Sequence, residues 1–395
     1  MDEHQDITND LNPLSEMSTV DNKMSNQKQS GFDLGVEKDT GFHGEDQKAS
    51  PNPSGRKTGN NIAQIKGPIG LDVGTANIVV AYNTSNDIKT HMQLNAFFTI
   101  PYSNLTGKTL SNDGVLFFHK NEDLYILGDS AENFANMFGG NTRRPIEKGI
   151  LNPKENESIS VMKAIINKLI TKPQRKNERI CFSVPGNPID EPASVVFHES
   201  IIKRHLLNMG YVAEPINEGL AVILSELSGN NFTGIGISMG AGMCNICFSY
   251  LSVPIITYSV QKGGDYIDAM VGNSVNEPPT KIKVIKEEEF DLSVEPKNII
   301  ETGLHIYYDD LFSTLSQSLQ TVLGSSDNVP RLSKAIPIVL SGGTVLPRGV
   351  KKQFIKALKN IRLPVKISDI IVAEKPLNAT AKGALVMAAS EEADM

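Results

Sequence analysis

The amino-acid sequence predicts an α/β fold of two related lobes behind a polar tail, and three observations predict it. From Pro68 onward, apolar runs of strand length alternate with longer segments of helical periodicity, the pattern of an α/β architecture. Two segments repeat one another: Ile69-Gly70-Leu71-Asp72-Val73-Gly74-Thr75 and Ile235-Gly236-Ile237-Ser238-Met239-Gly240-Ala241. Each is a strand, a small polar residue and a glycine turn, and each runs on to an Asn-Ile pair, Asn77-Ile78 and Asn245-Ile246. Such a repeat implies two lobes that offer one glycine hairpin each to a shared cleft; two ordinary hairpins that happen to match is the plainer alternative. Third, residues 1–66 are rich in Asp, Asn, Ser, Gln, Lys and Gly and lack hydrophobic periodicity. Such a stretch buries too little apolar area to offset its chain entropy, so disorder is expected there. A membrane-binding amphipathic helix would need large apolar residues clustered beside Lys or Arg, and that pattern is missing.

The elements follow in order. Ile69 to Asp72 and Ile78 to Asn83 read as a hairpin around Val73-Gly74-Thr75-Ala76-Asn77, and Val115 to His119 with Leu124 to Leu127 as a second. Helices are expected at 130–137, 158–170, 191–209 and 217–227, with strands at 180–184 and near Val212. Hairpin texture returns at 234–238, 245–250 and 254–260, followed by helices at 265–271 and 298–323. A strand at 337–340, a helix at 348–360 and a last helix at 379–389 complete the series.

Composition limits the function. A net charge of −7 argues against nucleic acid, whose phosphates demand a basic surface. Three cysteines cannot form a disulfide framework and fit a reducing cytosol. Cys244 and Cys247 form a CxxC without a second pair or a nearby histidine, inside an apolar run, so a strand position outweighs metal or redox chemistry. No basic-then-apolar signal opens the chain, and no apolar stretch nears the roughly 18 residues of a membrane span. The expectation is a cytoplasmic protein, soluble or peripheral. The charged run Lys172 to Arg179 reads as a solvated loop. Lys351, Lys352, Lys356 and Lys359 decorate a helix whose Phe354, Leu358 and Ile361 read as core, with a partner or lipid surface as the rival reading.

The chemistry lies in the glycine turns. A tight turn of Gly and small residues points backbone N–H groups into one concavity that holds phosphate oxygens. Asp72 at its entrance would place a carboxylate near the metal that accompanies ATP. Gly240-Ala241-Gly242 would clamp the same phosphates from the other side. A third turn, Ser341-Gly342-Gly343-Thr344, follows a strand and precedes a helix, which suits close approach to a base and ribose.

These motifs carry a resemblance. Gly70-Leu71-Asp72-Val73-Gly74-Thr75-Ala76-Asn77 resembles the first phosphate motif of the actin and seventy-kilodalton heat-shock chaperone superfamily, and is most similar to the MreB-type bacterial actins. Ala213-Glu214-Pro215-Ile216-Asn217-Glu218-Gly219 resembles the first connecting motif, Ser238 to Asn245 holds the place of the second phosphate motif, and Leu340 to Gly349 resembles the adenosine motif. Asn378 to Ala389 resembles the second connecting motif, and Arg144 to Gly149 and Lys262-Gly263-Gly264-Asp265 are smaller echoes. The similarity spans about residues 68 to 390. It implies a two-lobed actin-like (ribonuclease H-like) ATPase fold with a central nucleotide cleft. The implied parts are a first lobe at 67–215, a second at 216–378 and a C-terminal helix at 379–395 that returns to the first lobe.

The resemblance also implies ligands and roles. ATP with Mg2+ would be bound, Asp72 contacting the metal through water. Gly74, Thr75, Ala76 and Asn77, with Ser238, Gly240, Ala241 and Gly242, would bind phosphates, while Gly264, Lys283, Gly342 and Gly343 would line the nucleoside side. Glu214 would orient or deprotonate the attacking water; a carboxylate that simply favours a helix N-terminus is its alternative. Two departures bear on activity. Ser238 stands where the family has Asp, and loss of one electrostatic group at such a site can cost roughly 10²- to 10³-fold in rate. The small subdomain of the second lobe looks reduced, at about 272–297, so filament assembly is not simply carried over. The leading expectation is an actin-like cytoskeletal or scaffolding protein whose lobes close on nucleotide, with self-assembly and unidentified protein partners reading the closure. A catalytically impaired pseudo-ATPase is the rival. A small-molecule kinase of the same superfold would need an aspartate base beside a sugar site, for which no residue stands out. A complete chaperone would need a further substrate-binding domain and is not expected.

Overall fold

The computed structural model describes residues 65–85, 87–189, 195–326, 329, 330 and 332–393. The tail expected to be disordered lies outside the described residues except for its last two, and of those Ile65 is already buried in a hydrophobic core.

The first lobe begins with the expected hairpin, β1 (Ile69–Val73) and β2 (Asn77–Asn83), to which β3 (Ile88–Leu94) adds antiparallel. A small sheet follows, in which β6 (Asp123–Leu127) lies between β4 (Phe97–Pro101) and β5 (Phe117–Lys120), with α1 (Asn104–Asn112) and α2 (Asp129–Met137) beside it. Two short strands, β7 (Ile146–Glu147) and β8 (Ile150–Leu151), form a ribbon before α3 (Ser158–Leu169). Then β9 (Arg179–Val184) pairs parallel to β1, and α4 (Val195–Met209) leads to β10 (Val212–Asn217), parallel to β9. The sheet order is β10-β9-β1-β2-β3. Its inner strands read as nearly unbroken apolar runs because helices cover them, and Pro215 is tolerated because β10 is an edge strand.

The second lobe repeats this topology. The strands β11 (Gly234–Met239), β12 (Cys244–Tyr250) and β13 (Val253–Val260) make an antiparallel meander after α5 (Glu218–Glu226). Helices α6 (Gly264–Val275), α7 (Pro279–Glu288) and α8 (Ile299–Ser325) precede β14 (Ile336–Ser341), which pairs parallel to β11. Helix α9 (Val350–Leu358) leads to β15 (Ile367–Val372), parallel to β14, and α10 (Ala379–Ala393) ends the fold. The order β13-β12-β11-β14-β15 matches β3-β2-β1-β9-β10 strand for strand. The hairpin repeat read in the sequence is therefore a repeat of whole sheets. Between α7 and α8 run only residues 289–298, with one isolated bridge from Asp291 to Arg348 and no strand among the described residues.

The two lobes meet on α5 and α10. Helix α5 starts at Glu218 because the Asn217 side chain caps it, accepting from the N–H groups of Gly219 and Leu220. Gly219 to Leu224 are all buried, as befits a helix that is apolar around its whole circumference. It packs on β11 and β12, while α10 packs on β1, β9 and α5.

The first lobe holds a pH-sensitive element. His198 on α4 is 1% exposed, and neither ring nitrogen has a hydrogen-bond partner among the described residues. Burial pushes its pKa down to about 4. The unfolded chain therefore takes up a proton near the ordinary histidine value, about 6.5, which the folded state refuses until about 4. The folded state has its full stability above the unfolded pKa and loses it as pH falls through that window, by at most about 1.4 kcal/mol per pH unit. His205 on the same helix, lowered by burial and then by Lys163, acts in the same direction. Melts at pH 7 and pH 5 are expected to differ less for His198→Leu than for the wild type. Equal pH dependence in the two proteins would contradict this account.

Candidate functional site

The base of the cleft is built from the ends of β1, β9 and β11 and the start of α5. Asp72 Oδ1 accepts a 2.7 Å hydrogen bond from Ser183 Oγ, which itself accepts from the Val73 N–H at 3.1 Å. Ser183 on β9 thus fixes both the carboxylate and the strand that carries it. From the other lobe, Ser238 Oγ at the end of β11 donates to Glu218 Oε2 at 3.1 Å. Beside them Asn245 is fully buried, its Oδ1 accepting from the Gly186 N–H at 2.8 Å. Burial raises the pKa of both Asp72 and Glu218, and the charge of Asp72 raises Glu218 further. The Ser183 bond to Asp72, and the neighbours Ser238 and Asn245 of Glu218, offset these rises only in part. Two carboxylates in one desolvated site repel one another, and a cation between them would relieve both.

The carboxylate that joins Asp72 is Glu218, whereas the sequence reading placed the role on Glu214. Glu214 lies within β10, half exposed, 4.0 Å from Lys203 Nζ of α4, and no contact links it to the hairpins among the described residues. The Glu-Pro pair suggested a helix opening, but Pro215 belongs to the edge strand and the cap is Asn217. Asn245 was not singled out either; its mark in the sequence is its place in the Asn-Ile repeat.

The two glycine turns face each other. In the first, Gly74 N–H bonds to Asn77 O, and in the second Gly240 N–H bonds to Met243 O, both at 3.0 Å. These closures leave the N–H groups of Thr75, Ala76, Ala241 and Gly242 without a hydrogen-bond partner among the described residues. A side chain at Gly242 would overlap Thr75 Oγ1 and the Gly149 nitrogen, so the turns touch through the loop that bears Gly149. Thr75 Oγ1 accepts from the Gly149 N–H at 3.1 Å. Just before β7, Arg144 Nη1 grips both carboxylate oxygens of Asp265 on α6, at 2.9 and 2.7 Å, which ties one lobe to the other.

Beside the second turn, Gly264 N–H and Thr344 Oγ1 both donate to Gly240 O, at 3.0 and 2.9 Å. This draws together Gly240, Gly264 and the turn of Gly342 and Gly343. Lys283 is not joined to them; it lies 4.0 Å from Glu287 on its own helix. The α7 lysine that reaches the cluster is Lys286, buried, with its Nζ 2.9 Å from Gly264 O and 2.8 Å from Asp268. Burial pushes Asp268 up to about 6 against the pull of Lys286.

The donor set suits magnesium nucleotide. Mg2+ commonly takes one or two carboxylates, waters and substrate phosphates, and Asp72 and Glu218 supply oxygen donors with no His or Cys among them. Among the described residues no group of three or more His, Cys, Asp or Glu could hold a metal by itself. No helix of the described residues is long and apolar enough to cross a membrane.

Known structures share this fold. The MamK double-helical filament superposes with a TM-score of 0.61 at 18% identity, over 82% of this chain and 98% of that one. MreB5 of Spiroplasma citri bound to AMPPNP gives 0.60 at 14%, over 84% and 98%. The ethanolamine utilization protein EutJ from Carboxydothermus hydrogenoformans gives 0.51 at 14%, over 82% and 91%. The fold is thus two-lobed and actin-like. No curated protein matches the chain. The family model described as Volactin matches residues 68–388, and the chain belongs to that family.

Proposed function

We propose that this chain is an actin-like nucleotide switch that binds ATP with Mg2+ between its lobes and hydrolyses it slowly. The observation that carries this reading is the pair of facing turns, with unpartnered N–H groups at Thr75, Ala76, Ala241 and Gly242, above Asp72 and Glu218. Backbone N–H groups from both turns would hold the phosphates, and bound nucleotide would join the lobes where Arg144 and Asp265 already do. Mg2+, held by Asp72 through water, would neutralise phosphate charge. Glu218 would orient the attacking water, with Ser238 Oγ donating to its carboxylate. Burial and then the charge of Asp72 raise its pKa; bound Mg2+ would bring it back down and leave the carboxylate ionised to orient water.

The similar MreB5 and MamK structures, solved with AMPPNP or as a filament, support nucleotide binding and self-assembly as the function. The short link between α7 and α8 implies that any filament contact here uses other surfaces. Ser238 favours a second reading, a binding module without turnover, because it replaces a charged group by a hydroxyl already engaged with Glu218.

Titration with a fluorescent ATP analogue in Mg2+ tests the proposal. The wild type is expected to bind and Asp72→Ala to bind at least about tenfold more weakly, while pelleting of the same samples reports assembly. Equal binding by a folded Asp72→Ala variant, or none by the wild type, would overturn it. Binding without phosphate release would select the second reading.

A further inference from the structure

Away from the cleft, the second sheet ends at β15, which has no strand on its outer side among the described residues. Between β15 and α9 lies a groove of about 410 Å³, lined by Ile355, Leu358, Ile361, Leu363, Ile367 and Ile370. Phe354 alone of the expected helix core is fully buried, while Leu358 and Ile361 are open to the groove. Its lining also holds Lys359 and Asp369, and basic residues predominate around it. From Arg348 to Lys366 the chain carries seven basic residues and no acidic one. Lys351 pairs with Asp369 at 3.5 Å and Arg348 lies beside Asp291, while Lys352, Lys356, Lys359, Arg362 and Lys366 have no carboxylate partner among the described residues.

We propose that this edge is a docking site for an extended segment of a partner protein in which apolar side chains alternate with carboxylates. Three features select that occupant. An unpaired strand edge offers backbone donors and acceptors to a chain in extended conformation. Alternate side chains of an added strand point to one face, here into the isoleucine and leucine groove. The lysines then meet the carboxylates, which gives specificity and a fast, salt-sensitive encounter. A membrane is the poorer fit, because lipid insertion needs projecting apolar side chains, whereas these are recessed. A second copy of the same edge would bring like charges together, and edge lysines are a known guard against such pairing.

The test is fluorescence anisotropy of the nucleotide-free full chain, with a labelled peptide of alternating glutamate and isoleucine. A lysine-for-glutamate peptide and phosphatidylserine-containing vesicles serve as comparisons. Binding of the acidic peptide alone is expected, at least about tenfold weaker in the double variant Lys352→Glu, Lys359→Glu, on the helix face of Ile355. Ile361→Asp should weaken it too, and bound peptide should protect the amides of residues 367–372 from hydrogen exchange. Both lysines are exposed, so melting curves should show the double variant folded. Failure of the peptide to bind, equal affinity for the double variant, or capture of vesicles instead would each overturn the proposal.

Discussion

Glu218→Ala is expected to lower ATP hydrolysis by about 10²- to 10³-fold, with nucleotide affinity kept within about tenfold. The helix does not depend on this carboxylate, since Asn217 supplies the cap. Its carboxylate accepts from Ser238 Oγ, and among the described residues it takes no hydrogen bond from the N–H groups of the two glycine turns. Removing it also takes a mutually repelling charge away from Asp72, so the apoprotein should not lose stability on electrostatic grounds. Glu218→Gln separates two roles. The amide keeps an acceptor oxygen and the side-chain volume, so retained turnover would mean that Glu218 orients water rather than deprotonating it. Single-turnover phosphate release, read beside equilibrium binding, makes the distinction. Full activity in Glu218→Ala together with loss in Glu214→Ala would return the role to Glu214 and sink the present assignment.

How the two glutamates were separated shows what this sequence can and cannot disclose. The hairpins at 69–83 and 234–250 were legible because apolar runs flank turns that few residues other than glycine and small polar ones can make. The lobe repeat was legible for the same reason. Glu214 and Glu218 differ in register: a Glu-Pro pair carries a family association, but Pro215 lies at a sheet edge and Asn217 caps the helix that Glu218 opens. The expected helix start at Asn217 agrees with that cap. Strands β3, β4, β15 and the two-residue β7 and β8 lie outside the expected runs. β3 carries Lys89, His91 and Gln93 on a half-covered sheet edge, so no apolar run marks it. The pairing of Arg144 with Asp265, or of Lys286 with Gly264, joins residues far apart in sequence through the meeting of elements, and no local pattern encodes it.

Gly383→Ala is expected to cost about 3 kcal/mol or more, at the upper end of overpacking penalties. A Cβ at this position of α10 would sit 1.7 Å from the carbonyl oxygen of Ala221 on α5. The obstacle is backbone, so no side chain can swing aside. The neighbouring contact is as close: a Cβ at Gly70 of β1 would lie 2.0 Å from Ala381 O. α10 therefore touches α5 on one side and β1 on the other, and it cannot retreat from one without breaking the other. These two helices are also the seam on which both lobes rest, so displacement would spread to the cleft between the lobes rather than stay local. A stability of 5–15 kcal/mol is typical of domains, and a loss of this size should lower Tm by at least about 6 °C or leave insoluble protein. Gly324→Ala is the matched control, since a Cβ there on α8 meets no atom within 4 Å, and alanine favours a helix by up to about 1 kcal/mol over glycine. Thermal melts of the two variants should therefore move apart, Gly383→Ala downward and Gly324→Ala unchanged or upward. A wild-type melt and wild-type nucleotide binding for Gly383→Ala would mean that the two helices do not cross as closely as the structure has them.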